Sequence, residues 1–154
     1  MPRPYALTLT LALTLALGCS DSNQPVSIED ASFAAALGVD LAASTKSTGG
    51  LYYRDLQVGS GAVVSNGQLV QVHYTGWLTN GTQFDSNQAP QAPYAFHPGA
   101  GEVIQGWDFG VLGMHVGGRR QLIIPPALAY GVAGSGPIPG NAILVFTVEV
   151  VSAQ

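Results

Sequence analysis

Twenty glycines and ten prolines punctuate this 154-residue chain, and that punctuation constrains its architecture more than any other feature. Proline removes a backbone donor, and each glycine inside a helix costs about 1 kcal/mol relative to alanine. The chain must therefore fold as short pieces. Between the breakers, 51–58, 69–79, 119–124 and 142–151 have the composition of strands, most of them rich in β-branched and aromatic residues. Asn80-Gly81 follows the second of these, and both residues tolerate positive φ, so Thr82 to Asp85 is expected to return as the second arm of a hairpin. Tyr94 to His97 reads as a further short strand, and Ser86 to Pro93 and Pro126 to Asn141 as loops.

One segment changes period. Ile104, Trp107, Val111 and Leu112 fall on one helical face between Glu102 and Gly113. Gly106 and Gly110 weaken that helix, so it should be short and held by packing. The run Ala142 to Phe146 is uninterruptedly apolar and is expected in the core. Strands, one short helix, then strands describe an antiparallel α+β domain, here placed at residues 51–154.

Charge limits the partners such a domain can hold. Charged residues make up only 9%, against about 25% in an average soluble protein. Five basic residues against nine acidic ones leave a net charge of −4, too few cations for nucleic acid. A hydrophobic content of 47% argues against disorder, and a single cysteine excludes an intramolecular disulfide framework or a Cys-rich zinc site. His73, His97 and His115 have no metal-ligand spacing, there is no G-x-S-x-G, and Gly134-Ser-Gly136 lacks the rest of a phosphate loop. Asp85, Glu102 and Asp108 show no spacing that argues for a catalytic pair and read as solvated acids.

The first nineteen residues read as an export address. Arg3 precedes an uncharged run from Tyr5 to Leu17, too short for a membrane-spanning helix. Ala16-Leu17-Gly18-Cys19 resembles the lipobox of bacterial lipoproteins, in which the cysteine is lipidated, and Ser20 resembles the sorting signal of outer-membrane forms. Residues 1–19 are thus expected as a lipoprotein signal peptide, with Cys19 anchoring the chain at the periplasmic face of the outer membrane or the cell surface. Residues 20–50 are expected as a polar tether, with a short helix capped at Ser27 and running to Leu37, and a second linker over Thr45 to Gly50.

The aromatics stand beside turn residues: Val72-His-Tyr-Thr-Gly76, Asn80-Gly81, Phe84-Asp85-Ser86, Glu102-Val-Ile-Gln-Gly-Trp107, Ala129-Tyr-Gly131 and Leu144-Val-Phe146. These six blocks, in this order and spacing, resemble the FKBP-type peptidyl-prolyl cis–trans isomerases over Leu51 to Val151. The resemblance implies an antiparallel half-barrel sheet wrapped around one short helix, and a cofactor-free, metal-free isomerase of X–Pro bonds. It places Tyr74, Phe84, Asp85, Trp107, Tyr130 and Phe146 as catalytic, with Trp107 as the pocket floor, and Tyr94, Val103, Ile104 and Ile138 as substrate-binding. Tyr130 and the Ile104 N–H would donate to peptide carbonyls, and Phe96 would support the wall from behind. Partners implied are proline-containing unfolded or exported polypeptides and FK506-like macrolides.

Three positions depart from the family pattern. Pro90 stands where many relatives carry an Arg that pairs with the pocket Asp, leaving Asp85 to be held by backbone N–H or tyrosine hydroxyl groups. The loop after Tyr130 is one residue short and ends in Pro139-Gly140, and Tyr94 replaces a common Phe. The rival reading is a peptide-binding chaperone that uses the same pocket with little catalysis. Such relatives carry an inserted domain or a long helical arm, and neither is visible in this sequence.

Overall fold

The computed structural model describes residues 25–154, so the expected signal peptide and Cys19 lie outside the described residues. Seven strands form one antiparallel sheet: β1 (Thr45–Lys46), β2 (Tyr52–Gln57), β3 (Val70–Leu78), β4 (Gln83–Asn87), β5 (Tyr94–Phe96), β6 (Arg119–Ile124) and β7 (Leu144–Ala153). Their order is β1-β2-β6-β7-β3-β4, with β5 pairing β3 beyond the end of β4. Among the described residues a single α-helix, α1 (Gln105–Gly110), packs against the sheet. The hairpin expected at Asn80-Gly81 joins β3 to β4: Gly81 takes φ +88°, and the Thr82 N–H donates to Asn80 Oδ1 at 2.9 Å. The return strand runs two residues further than expected, to Asn87, and the loop before β7 contains a 3₁₀ turn at Pro126–Leu128.

The helix is short for the reason its glycines suggest, but their role is larger than loss of propensity. A β-carbon at Gly106 would lie 2.4 Å from Ile124 Cγ2, and one at Gly110 would lie 2.8 Å from the Leu122 methyls. The two glycines let α1 settle directly onto β6, closer than side chains would allow. Trp107 and Val111 then enter the core with Leu122, Leu144, Val148 and Phe96. The C-terminal end of α1 is fastened by Arg120, 6% exposed, whose Nη1 donates to the carbonyls of Gly110 (2.9 Å) and Leu112 (3.0 Å). Its Nε and Nη2 donate to both oxygens of Asp55 at 2.6 and 3.1 Å, and its guanidinium lies 4.7 Å from the centre of the Tyr53 ring. A buried cation thus satisfies carbonyls that the last turn leaves without partners.

The expected tether is where the structure departs most from the sequence reading. Residues 27–46 do not hang free. Ile28, 3% exposed, packs with Tyr52, Ile123, Ile143 and Val145 on the convex face of the sheet, and Phe33, Leu37, Val39 and Leu41 extend that second core. Ser27 caps only a single turn, its hydroxyl bonded to Asp30 Oδ2 at 2.8 Å. The expected helix through Leu37 is reduced to a 3₁₀ turn over Ala35–Leu37, ended by Gly38 in the left-handed region. Alternating small and apolar residues serve a strap lying on a sheet better than a helix. Thr45 and Lys46, read as linker, pair with Tyr53 and Tyr52 as strand β1. Lys46 and the Tyr52 hydroxyl both bond to Glu29, and the ammonium first, then the phenol, holds that carboxyl down at about 2. A depressed acid of this kind supports the fold above its ordinary range and stops doing so as pH falls towards 2.

The strap explains two features of the pattern. Leu144, Val145 and Phe146 are consecutive and all buried, because both faces of β7 are covered there, whereas Val148 to Val151 alternate in and out. Gln121, 3% exposed, donates to the Leu37 carbonyl at 2.7 Å, a polar stitch between strap and sheet.

Two stability measurements test this packing. Gly110→Ala, which in an isolated helix stabilises by about 1 kcal/mol, is expected to destabilise this domain by about 1–3 kcal/mol through overpacking against Leu122. A raised urea midpoint in that variant overturns the close contact. Ile28→Ala is expected to cost about 2–4 kcal/mol, and an unchanged midpoint would show that the strap does not pack.

Candidate functional site

The concave face of the sheet leaves a cavity of about 440 Å³ between α1, β3, β4, β5 and the loop before β7. That is within the usual range for small-ligand pockets. Its floor is Trp107, 5% exposed, delivered by the first turn of α1. Three rings stand almost upright on that floor: Tyr74 at 4.9 Å and 84°, Phe146 at 5.3 Å and 84°, and Tyr94 at 6.3 Å and 87° between centroids and planes. Phe84 meets Phe146 edge-on at 5.5 Å. Edge-to-face contacts of this kind are favourable for aromatic quadrupoles and make the box rigid.

Gly76 is the position that lets the box close. A β-carbon there would lie 2.6 Å from Phe146 and 2.7 Å from Phe84, so only glycine permits both rings to meet over β3. Phe96, 1% exposed, sits behind Trp107 at 5.6 Å and does not line the cavity, as expected of a supporting residue.

The polar groups are few. Asp85 Oδ2 accepts the Tyr74 hydroxyl at 2.7 Å, and its Oδ1 accepts the Ser86 N–H at 2.8 Å. A tyrosine hydroxyl and a backbone N–H therefore hold the carboxylate in place of a cation, with Pro90 at the position that could have supplied one. Burial, and then the bond to Asp85, pushes the Tyr74 phenol well above its ordinary range. Burial, and then the Asp85 charge, pushes the Tyr130 phenol in the same direction. Both hydroxyls consequently keep their protons at neutral pH. Tyr130 is presented at the mouth, 38% exposed, after the Pro126–Leu128 turn, and the Gly131 N–H ties that turn back to the Pro126 carbonyl at 2.9 Å. Among the described residues the Ile104 N–H makes no backbone hydrogen bond, while its carbonyl accepts from Trp107 and Asp108.

Nine of the ten non-anchor site residues expected from the sequence line this one cavity: Tyr74, Phe84, Asp85, Tyr94, Val103, Ile104, Trp107, Tyr130 and Phe146. Ile138 does not. It is 7% exposed and packs into the core, because its loop folds back on itself. Ser135 and Ile138 exchange both backbone hydrogen bonds at 2.8–2.9 Å, and Gly134 and Gly140 let backbone approach backbone. That fold-back turns Ile138 inward and leaves Val132 exposed.

Two further residues line the cavity, Gly101, which the sequence does not single out, and Glu102, which it reads only as a solvated acid. Glu102 opens the Glu102-Val-Ile-Gln-Gly-Trp107 block, so its place beside Val103 and Ile104 was available as a signal. Its Oε2 accepts the His97 N–H at 2.9 Å and its Oε1 lies 3.1 Å from His97 Nδ1, and these bonds, the backbone one first, lower the carboxyl's pKa. Asp108, read as solvated, is 6% exposed and accepts the Gly99 N–H at 2.9 Å, bracing the loop that leads to Glu102. No group of three or more His, Cys, Asp or Glu positioned to hold a metal occurs among the described residues.

Comparison with known proteins agrees with this geometry. The family model described as FKBP-type peptidyl-prolyl cis-trans isomerase matches residues 61–151. The FK506-binding protein of Neisseria meningitidis is 49% identical over 102 residues, covering 66% of this chain and 94% of that protein. The crystal structure of AtFKBP13 superposes with a TM-score of 0.66 at 41% identity, covering 72% of this chain and 98% of that one. FK506-binding protein 4 of Rhizopus delemar is 50% identical over 111 residues and 71% of this chain, but the match spans only 29% of that relative's length. With the family model covering more than half its residues, the chain belongs to the FKBP-type peptidyl-prolyl cis-trans isomerase family.

Proposed function

We propose that the chain accelerates cis–trans isomerisation of X–Pro bonds in exported polypeptides. The observation that carries this reading is the rigid aromatic box on Trp107 with the Tyr130 hydroxyl at its mouth. Rotation about an X–Pro bond is slow because amide resonance must be broken, over a barrier of about 18–20 kcal/mol. The twisted amide is less polar than the planar one. An environment of Trp107, Phe146, Phe84 and Tyr74 therefore favours the twisted state over the planar state more than water does, which is differential binding of the transition state.

Each residue has a part in that scheme. The proline ring enters over Trp107. Tyr130 Oη and the Ile104 N–H donate to carbonyls on either side of the proline and hold the chain while one bond turns. Asp85 keeps Tyr74 upright through its hydroxyl, and Tyr94, Val103 and Gly101 close the rim. No covalent intermediate, metal or cofactor has a step in this mechanism. FK506-like macrolides, which offer an apolar ring and carbonyls, suit the same box. The export address leads us to propose further that Cys19 is lipidated and holds the domain at a membrane surface, in the periplasm or outside the cell.

A protease-coupled assay with an Ala-Leu-Pro-Phe peptide tests the isomerase reading. Wild type is expected to accelerate the reaction, and Tyr130→Phe to lower kcat/KM about fivefold to tenfold through loss of one hydrogen bond. Asp85→Val should cost at least as much, because it also frees Tyr74. Binding of the peptide without acceleration would overturn catalysis and leave a peptide-binding chaperone. Palmitate labelling of cells producing the full chain tests the anchor: the label should be lost in Cys19→Ala, and its retention would sink the lipidation proposal.

A further inference from the structure

The aromatic box is assembled from two parts of the sheet, and a segment outside the box spans both. Trp107 is carried by α1, which is seated on Leu122 and Ile124 of β6. Tyr74, Phe84 and Asp85 come from the β3–β4 hairpin. The second arm of that hairpin is held from one side only, because β4 ends the sheet and pairs β3 alone. Its register slips between Gly76↔Asp85 and Trp77↔Gln83, which leaves Phe84 as the extra residue of a bulge. The bulge interrupts the ladder at the residue whose ring must meet Phe146.

The strap, residues 27–46, lies on the opposite face and touches both parts. Ile28, Phe33 and Leu37 share a cluster with Tyr52 of β2, Ile123 of β6 and Val145 of β7, which alternate in their strands with residues of the box side. The Leu37 carbonyl accepts from Gln121 Nε2 and the Gly38 carbonyl from Arg54 Nη2, both at 2.7 Å. Between Phe33 and Leu37, the Ala34 N–H donates to the carbonyl of Thr79, which opens the hairpin turn, at 2.8 Å. A β-carbon on Gly81 would lie 3.2 Å from the Ala34 methyl, so strap and turn are in close contact.

Resting on the isomerase reading above, we infer that Ala34 is a positioning residue: through Thr79 it fixes the tip of the β3–β4 hairpin, and with it the Phe84 wall, against the part of the sheet that seats Trp107. Ala34 does not line the cavity. Its influence runs along a short packed path, in which the Leu78 N–H donates to the Thr82 carbonyl at 2.9 Å and closes the turn before Phe84. With the tip released, the bulged arm is free to lift from Gly76, and the ring contact that keeps water from the twisted amide loosens.

The test deletes one donor and keeps the fold. Ala34 has φ −58°, a value proline itself imposes, so Ala34→Pro removes the N–H with little change in the path of the chain. Ala35→Pro is the control. It puts proline at the first position of the 3₁₀ turn, where the N–H makes no backbone bond, and Ala34, with ψ 133°, accommodates a following proline. With an Ala-Leu-Pro-Phe peptide, Ala34→Pro is expected to lower kcat/KM about threefold to fivefold, and Ala35→Pro to match wild type. The backbone amide resonances of Phe84 and Asp85 should shift in Ala34→Pro and stay in place in Ala35→Pro. A merely structural bond would lower the urea midpoint but leave kcat/KM and those resonances unchanged, which overturns the assignment. An equal loss of rate in both variants, or a loss without the shifts, overturns it too. Unchanged kcat/KM in an active enzyme removes this coupling but not the isomerase. Acceleration of no peptide by wild type removes the isomerase reading, and with it any catalytic role for Ala34.

Discussion

The contact between α1 and β6 is the constraint on which the site depends. A six-residue helix has almost no stability of its own, because nucleation of so short a segment is unfavourable. It exists here because Gly106 and Gly110 let its backbone lie against Ile124 and Leu122, and because Arg120 receives its final carbonyls. Its first turn carries Trp107. The depth of the cavity floor is therefore set by two missing β-carbons and a guanidinium, none of which touches the cavity. Glycine's weakness as a helix former is offset by the proximity it permits.

The same economy appears on β3. Gly76 gives up any side chain so that Phe84 and Phe146 can meet, and the rings then hold one another edge to face. Asp85 and Tyr74 restrain each other across the β3–β4 hairpin whose turn is Asn80-Gly81. The hairpin register thereby becomes the register of the site.

Much of this was legible in the sequence for identifiable reasons. Strands with β-branched runs, the Asn-Gly turn and the Ile104–Trp107–Val111 face are local signals, and they read correctly. The aromatic blocks located nine cavity residues because a rigid box needs large side chains at fixed places in fixed strands. What escaped was non-local. Residues 27–46 are small and polar enough to resemble a linker, and only the sheet's convex face makes Ile28, Phe33 and Leu37 a core. Ile138 was misplaced because its orientation depends on Gly134 and Gly140 packing backbone on backbone, which composition does not reveal. Asp108 looked solvated because its partner, the Gly99 N–H, lies nine residues away in a loop without regular structure.

The docking of residues 27–46 also changes a length. A free segment over residues 20–50 would reach about 110 Å at full extension, whereas residues 20–27 alone reach about 30 Å. With Cys19 acylated as proposed, the domain becomes a short-leashed enzyme whose working volume is a thin layer above the bilayer. Its clients would then be selected by where they emerge or accumulate as much as by what surrounds their prolines. Lengthening the leash, not altering the cavity, would be the means of changing which polypeptides it meets.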